Sequence, residues 1–314
     1  MTREPSPCHK YKETIMDQNS VIEAKNIIKK YKNFTLDVPE FKLPKGFATA
    51  LIGENGAGKT TLLNILTGIR SDYQGTINYF GKYSEKELDN TPDVKERIGY
   101  TGTDNYYLPS WTVGQIADIS SIIFDKFDCS KFKKYCEDLA IFGSASFDRG
   151  KKVSALSDGT KTKLMLAGVL SRETDLLIMD EPASPLDPLM RDKLCELIRD
   201  YINSGENKSV FFSTHNISDM ENVTDYAIIM EHGMIVEQGF VEDLKEKYIV
   251  VKGERDDVEK VRPVLYTMSQ SNYGFEGICL AENLDKLAGL DIVTETPSLF
   301  KISVAVMKKN SLIK

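Results

Sequence analysis

Along the first third of the chain, hydrophobic and polar positions alternate over short stretches. Phe34, Leu36 and Val38 alternate with polar residues, and Phe41 and Leu43 do so again beyond Pro39; a period of two predicts strands. Ala48-Thr49-Ala50-Leu51-Ile52 is a small apolar strand that runs straight into a glycine-rich turn, and Thr61–Thr67 then reads as a helix stopped by Gly68. Helical spacing returns from Val113 to about Leu139, where Val113, Ile116, Ile119, Ile122 and Ile123 fall on one stripe. A helix over 161–171, an apolar strand over 175–179, a helix over 189–203 and strands Val210–Phe212 and Tyr226–Met230 complete this part. Apolar strands alternating with helices imply an α/β fold with a mainly parallel sheet covered on both faces.

Around Tyr248–Lys252 the pattern changes. Short strands at Ile249–Val251 and Lys301–Met307 mix with helices at Val258–Tyr266 and Asn283–Leu287, which predicts a small α+β appendage. Residues 1–20 are polar and aperiodic and are expected to form a flexible tail. The chain therefore divides into a tail (1–20), a main domain (21–247) and an appendage (248–314).

A length of 314 residues suffices for one large or two modest cores. The 47 acidic and 40 basic side chains leave a net charge of -7, which argues against a nucleic-acid scaffold, so no nucleic-acid partner is expected. No run approaches the ~20 apolar residues of a membrane span. No apolar segment follows Arg3, Glu4, Pro5 and Pro7 to make a secretory leader. A soluble, cytoplasmic chain is the expectation. Cys8, Cys129, Cys136, Cys195 and Cys279 are scattered without a paired spacing, as reduced structural thiols are.

The strongest chemical signal is Gly53-Glu54-Asn55-Gly56-Ala57-Gly58-Lys59-Thr60, a complete G-x-x-x-x-G-K-[ST]. Its glycines let successive N–H groups turn into one concavity that holds nucleotide phosphates, and the helix that follows adds its N-terminal dipole. Lys59 would reach the β- and γ-phosphates, and the Thr60 hydroxyl would ligate Mg²⁺. The alternative, a chance glycine turn, is disfavoured by the preceding strand and the following helix. Leu176-Leu177-Ile178-Met179-Asp180 is an apolar strand that delivers a carboxylate at its C-terminal end, where open α/β sheets bind ligands. Asp180 fits the second Mg²⁺ anchor of a P-loop NTPase. Glu181, the next residue, is placed to accept a proton from an attacking water or to orient it. A solvated acidic turn is the bland reading of this pair, disfavoured by the phosphate loop upstream.

With these residues the chain resembles the nucleotide-binding subunit of an ABC transporter over about residues 21–247. Gly53–Thr60 matches the family's Walker A motif, Leu156-Ser157-Asp158-Gly159 its signature motif, and Leu176–Glu181 its Walker B motif; Ser184-Pro185-Leu186-Asp187 matches the D-loop, and Ser213-Thr214-His215 the switch histidine. The resemblance implies a P-loop fold with an N-terminal antiparallel β subdomain and a helical signature subdomain. It implies ATP and Mg²⁺ as cofactors and a second nucleotide-binding subunit, identical or paralogous, paired head to tail. Ser157, Asp158 and Gly159 would then meet the partner's ATP, Asp187 would link the two sites, and His215 would contact the γ-phosphate. ATP binding would involve Gly53 through Thr61, with Tyr31 stacking on adenine and Phe34 as its rival. Glu181, His215 and Lys59 would be catalytic, and Thr60 and Asp180 would hold the metal. A transmembrane permease subunit would keep the chain at the inner face of the membrane. His9 and His232 carry no expected role.

Three positions depart from the family pattern. Thr103 falls where the Q-loop glutamine belongs, with Asp104 next to it as a possible substitute and Gln115 too far along. Asp158 puts a negative charge in the signature, which is expected to weaken a closed dimer unless the side chain turns away or finds a cation. Pro185 stiffens the D-loop. Together with the appendage, these departures resemble the bacterial branch akin to bacitracin-type and other antimicrobial-peptide resistance exporters. Two rival functions are a soluble ABC ATPase that does not transport and a weakly hydrolysing, ATP-dependent binding module.

Overall fold

A computed structural model describes residues 20–143 and 145–310. The expected tail, with Cys8 and His9, lies outside the described residues apart from Ser20, which opens the first strand. Three sheets are present. β1 (Ser20–Lys30), β2 (Thr35–Pro44), β4 (Gln74–Tyr79) and β5 (Tyr83–Ser84) form an antiparallel sheet in the order β2-β1-β4-β5. This is the β subdomain that the resemblance implies.

The central sheet has the order β10-β9-β3-β8-β7-β6, from β3 (Ala48–Ile52), β6 (Ile98–Thr101), β7 (Leu176–Met179), β8 (Ser209–Thr214), β9 (Tyr226–Glu231) and β10 (Met234–Phe240). Five strands run parallel, and β10 closes one edge antiparallel to β9. Period-two alternation sends its side chains to two cores. Ala48, Ala50, Ile52, Val210 and Phe212 face one side with the helices, and Leu51, Ile178 and Phe211 face the other, beneath the antiparallel sheet. Every residue of β3, β7 and β8 is buried, as expected for a parallel sheet covered twice.

The helices on these faces include α1 (Lys59–Leu66), α2 (Val113–Ile123), α3 (Cys129–Asp138), α4 (Asp158–Leu170), α5 (Pro188–Asn203) and α6 (Val241–Lys247). The expected stripe on α2 is only half realised. Val113 and Ile116 are buried, whereas Ile122 and Ile123 are 81% and 60% exposed, because α2 leaves the core before its last turn.

Beyond residue 247, β11 (Tyr248–Gly253), β12 (Thr267–Gln270), β13 (Phe275–Leu280) and β14 (Ile292–Glu295) make an antiparallel sheet in the order β12-β13-β11-β14. It has a small core of its own around Val251, Phe275 and Cys279. The expected helix over Val258–Tyr266 is a single turn at Val258–Val261, and Asn283–Leu287 lies in a 3₁₀ segment. The expected strand at Lys301–Met307 is instead the helix α7 (Leu299–Asn310). Its buried residues Leu299, Ile302, Ser303, Ala305 and Val306 recur at helical spacing, and the four apolar ones join the main core.

Candidate functional site

Register brings the motif ends together. Ile52 pairs with Thr214, Met179 with Phe212 and Thr101 with Met179, so the loops after β3, β6, β7 and β8 open at one edge of the sheet. The loop after β3 is fixed by its neighbours. Gly53 N donates to Thr214 O at 3.3 Å, Ala57 N to Glu54 O at 3.1 Å, and Gly233 N, from the β9–β10 turn, to Ala57 O at 2.9 Å. Gly58 has φ +106° and caps α1; a Cβ there would also lie 2.8 Å from Phe34 Cζ. Only glycine fits on both counts.

Lys59 is buried at the base of this loop, where its ammonium donates to Gly53 O at 2.7 Å and Glu54 O at 3.2 Å. It also lies 3.3 Å from Glu181 Oε1. Thr60 Oγ1 donates to Asp180 Oδ2 at 2.7 Å, which places a hydroxyl and a carboxylate side by side as magnesium requires. Ser213 donates to Asp180 Oδ1, and its oxygen accepts the Glu181 N–H at 2.9 Å. Glu181 sits at φ +49°, a left-handed conformation that costs a non-glycine residue about 1–2 kcal/mol, offset here by this hydrogen bond and the two side-chain partners. His215 Nδ1 lies 2.8 Å from Glu181 Oε2. The structure therefore joins Lys59, Thr60, Asp180, Glu181 and His215 into one network. Glu54, Asn55, Gly56 and Thr60 are exposed along its open side.

Other expected residues lie elsewhere. Ser157 caps α4, accepting Thr160 N at 3.3 Å, and Asp158 pairs with Lys161 Nζ at 2.8 Å. Asp158 thus has the cation that the expected charge penalty called for, and Lys161 holds its carboxyl below the usual range. Among the described residues, no hydrogen bond or ion pair links Ser157–Gly159 to the loop 53–60. A Cβ on Gly159 would lie 2.7 Å from Pro185 O, so signature and D-loop touch within the chain. Asp187 caps α5 through Met190 N at 3.1 Å. Thr103 and Asp104 are exposed beyond β6.

Tyr31 is 40% exposed, and its ring lies 6.1 Å from that of Phe34, with Lys29 and Arg70 within 5.5 Å of it. Phe34, the rival aromatic, is the one against the phosphate loop. Two contributors escaped the sequence reading. Ser213 was read only as part of the histidine motif. Tyr100, on β6, donates its hydroxyl to Asn64 Oδ1 at 3.2 Å. Burial, with Asp180 and Asp104 nearby, pushes the Tyr100 phenol up to about 12.

A glycine-lined phosphate loop between a parallel strand and a helix, with lysine, threonine and an aspartate from the neighbouring strand end, defines a P-loop nucleoside triphosphatase. The family model described as ABC transporter matches residues 36–184. The chain is 28% identical over 210 residues to the ABC transporter ATP-binding protein YtrB of Bacillus subtilis, covering 67% of this chain and 68% of that protein. It is 29% identical over 211 residues to the energy-coupling factor transporter ATP-binding protein EcfA1 of Staphylococcus aureus, covering 65% and 76%. Among solved structures, an ATP-binding subunit of an ABC transporter superposes with a TM-score of 0.61 at 23% identity, covering 72% of this chain and 92% of that one. CbiO1 of Clostridium perfringens does so with 0.57 at 24% identity, covering 78% and 96%. Over these residues the chain is similar to the ATP-binding subunits of ABC transporters.

Proposed function

We propose that the chain works as one half of a head-to-tail pair that closes on two ATP molecules and drives a separate transmembrane permease, most simply as an exporter. Among the described residues, no helix is long and apolar enough to cross a membrane. On this reading the permease holds the chain at the inner membrane face. The observation that carries the proposal is the split of the motifs. Lys59, Thr60, Asp180, Glu181 and His215 share one network, while Ser157 and Gly159 stand apart from it at the start of α4. A helix N-terminus is an anion site in search of an anion, and a second copy's ATP would supply one.

In this mechanism the loop N–H groups and Lys59 bind the phosphates. Thr60 and Asp180 would hold Mg²⁺, which when bound offsets charge on the phosphoryl oxygens. Glu181 accepts the proton of the attacking water, and its bond to His215 fixes the direction of its second oxygen. Tyr31 takes the base, and Asp187 meets the partner.

Steady-state ATP hydrolysis by the purified chain, beside Glu181→Gln with oligomeric state followed in both, tests this. The expected result is turnover by the wild type, a loss of about 10²–10⁴-fold in the variant, and an ATP-bound dimer that accumulates only in the variant. ATP binding with neither hydrolysis nor dimer formation, in the presence of a reconstituted permease as well, would favour a binding module instead.

A further inference from the structure

We propose that Ser213 is a positioning residue for the reaction, whose single hydroxyl sets the orientation of Asp180 and the backbone of Glu181 together. The inference rests on the reading of those two carboxylates given above. Ser213 is fully buried on β8, and Asp180, at the end of the adjacent β7, is 2% exposed. The hydroxyl has one proton and gives it to Asp180 Oδ1. Its oxygen then receives the Glu181 N–H at 2.9 Å. Asp180 is thereby held at both ends, Oδ1 by Ser213 and Oδ2 by Thr60 at 2.7 Å. A carboxylate bound at both oxygens cannot swing about its last torsion, so the oxygen facing Thr60 stays there.

The second half of the bond acts on Glu181. Its left-handed backbone turns the side chain back over the phosphate loop, between Lys59 and His215. Such a conformation persists only when its surroundings over-determine it, and the Ser213 oxygen is the acceptor that anchors its N–H. A metal-holding carboxylate and a base on consecutive residues would otherwise be oriented independently. One serine on the neighbouring strand makes them a unit, as second-sphere partners do at metal sites.

The test compares Ser213→Ala, Ser213→Thr and Ser213→Cys in the full chain. Mn²⁺ binding in the presence of ATP is followed by electron paramagnetic resonance. ATP binding in EDTA is followed by a fluorescent analogue, and turnover is measured across a magnesium titration. For Ser213→Ala the expected result is a loss of about 10- to 100-fold in Mn²⁺ affinity and kcat, with nucleotide binding in EDTA changed by less than about twofold. Ser213→Thr, which keeps the hydroxyl, is expected to restore both. Wild-type Mn²⁺ affinity and kcat in folded Ser213→Ala would overturn the proposal. Equal defects in the alanine and threonine variants would overturn it too, since packing rather than the hydroxyl would then matter. If Ser213→Ala does not fold, Ser213→Cys, a poor donor of similar size, takes its place, and a cysteine variant as active as the threonine one overturns the proposal. Should Asp180→Asn and Glu181→Gln both turn over normally, the site reading itself fails, and Ser213 with it.

Discussion

Burial sorts the four described cysteines into two kinds. Cys129, the first residue of α3, is exposed, whereas Cys136, Cys195 and Cys279 are buried. Burial pushes the Cys136 thiol up to about 12 and raises Cys195 and Cys279 as well. Only a thiolate attacks an alkylating reagent. In a peptide-mapped iodoacetamide reaction of the native chain between pH 7 and 9, the exposed Cys129 is therefore expected to be modified. Cys136, Cys195 and Cys279 should stay unmodified across that range and react only in denaturant. Modification of Cys136 at pH 7 at the rate of Cys129 would contradict the burial assigned to it. At this scale much of the site was legible in the sequence, because the phosphate loop and the Asp180–Glu181 pair are contiguous motifs. The place of Ser213 was not, because its hydrogen bond to Asp180 depends on strand register between residues 33 positions apart. The Lys161 partner of Asp158 was within reach, since a lysine three positions along a helix is a standard neighbour.

Among the elements, α7 illustrates how a period can mislead. Ile302, Val304 and Val306 alternate with Lys301, Ser303 and Ala305, which matches a strand over seven residues. Leu299 and Ile302 add the three-residue step of a helix, and packing against the main core selects that period. The start of α7 is held from the ATPase side of the chain. Glu221, in the 3₁₀ turn Glu221–Val223 that follows His215 by a few residues, accepts Leu299 N at 2.9 Å and Phe300 N at 3.4 Å, and pairs with Lys245 at 3.1 Å. A carboxylate on free N–H groups at a helix start contributes about 1 kcal/mol. Glu221→Ala is expected to lower stability by that order in urea titration and to speed hydrogen exchange in the first turn of α7. An unchanged exchange rate there would show that Ser298, which also caps this turn through Lys301 N, suffices alone.

At the scale of the molecule, the parallel sheet separates two cores, and the C-terminal region contributes to one of them. Leu299, Ile302 and Val306 are almost wholly buried there, worth at most about 1.5–3 kcal/mol each. A chain ending at Lys247 would leave bare the face that these residues cover. It is expected to melt roughly 10 °C below the full chain in a calorimetric scan. Equal melting temperatures would mean that the core closes without α7. The change of pattern near Tyr248 coincides with the start of β11. The return of α7 to the main core was not legible in the sequence, since nothing local in residues 299–310 states which neighbour they meet.

The contact between Lys59 and Glu181 has a further consequence. Lys59 faces an anion of its own chain 3.3 Å away, and that carboxylate oxygen is buried and makes no hydrogen bond. On the proposed function, a nucleotide would have to compete with this carboxylate for the ammonium. If Lys59 binds the phosphates as proposed, ATP would have to draw it away from Glu181, and the freed carboxylate would then be open to water. Removing its charge removes the rival, so Glu181→Gln should bind ATP more tightly than the wild type even in EDTA, where no hydrolysis can trap it. Equal affinities in a fluorescent-nucleotide titration would mean that Lys59 lets go of Glu181 at no cost.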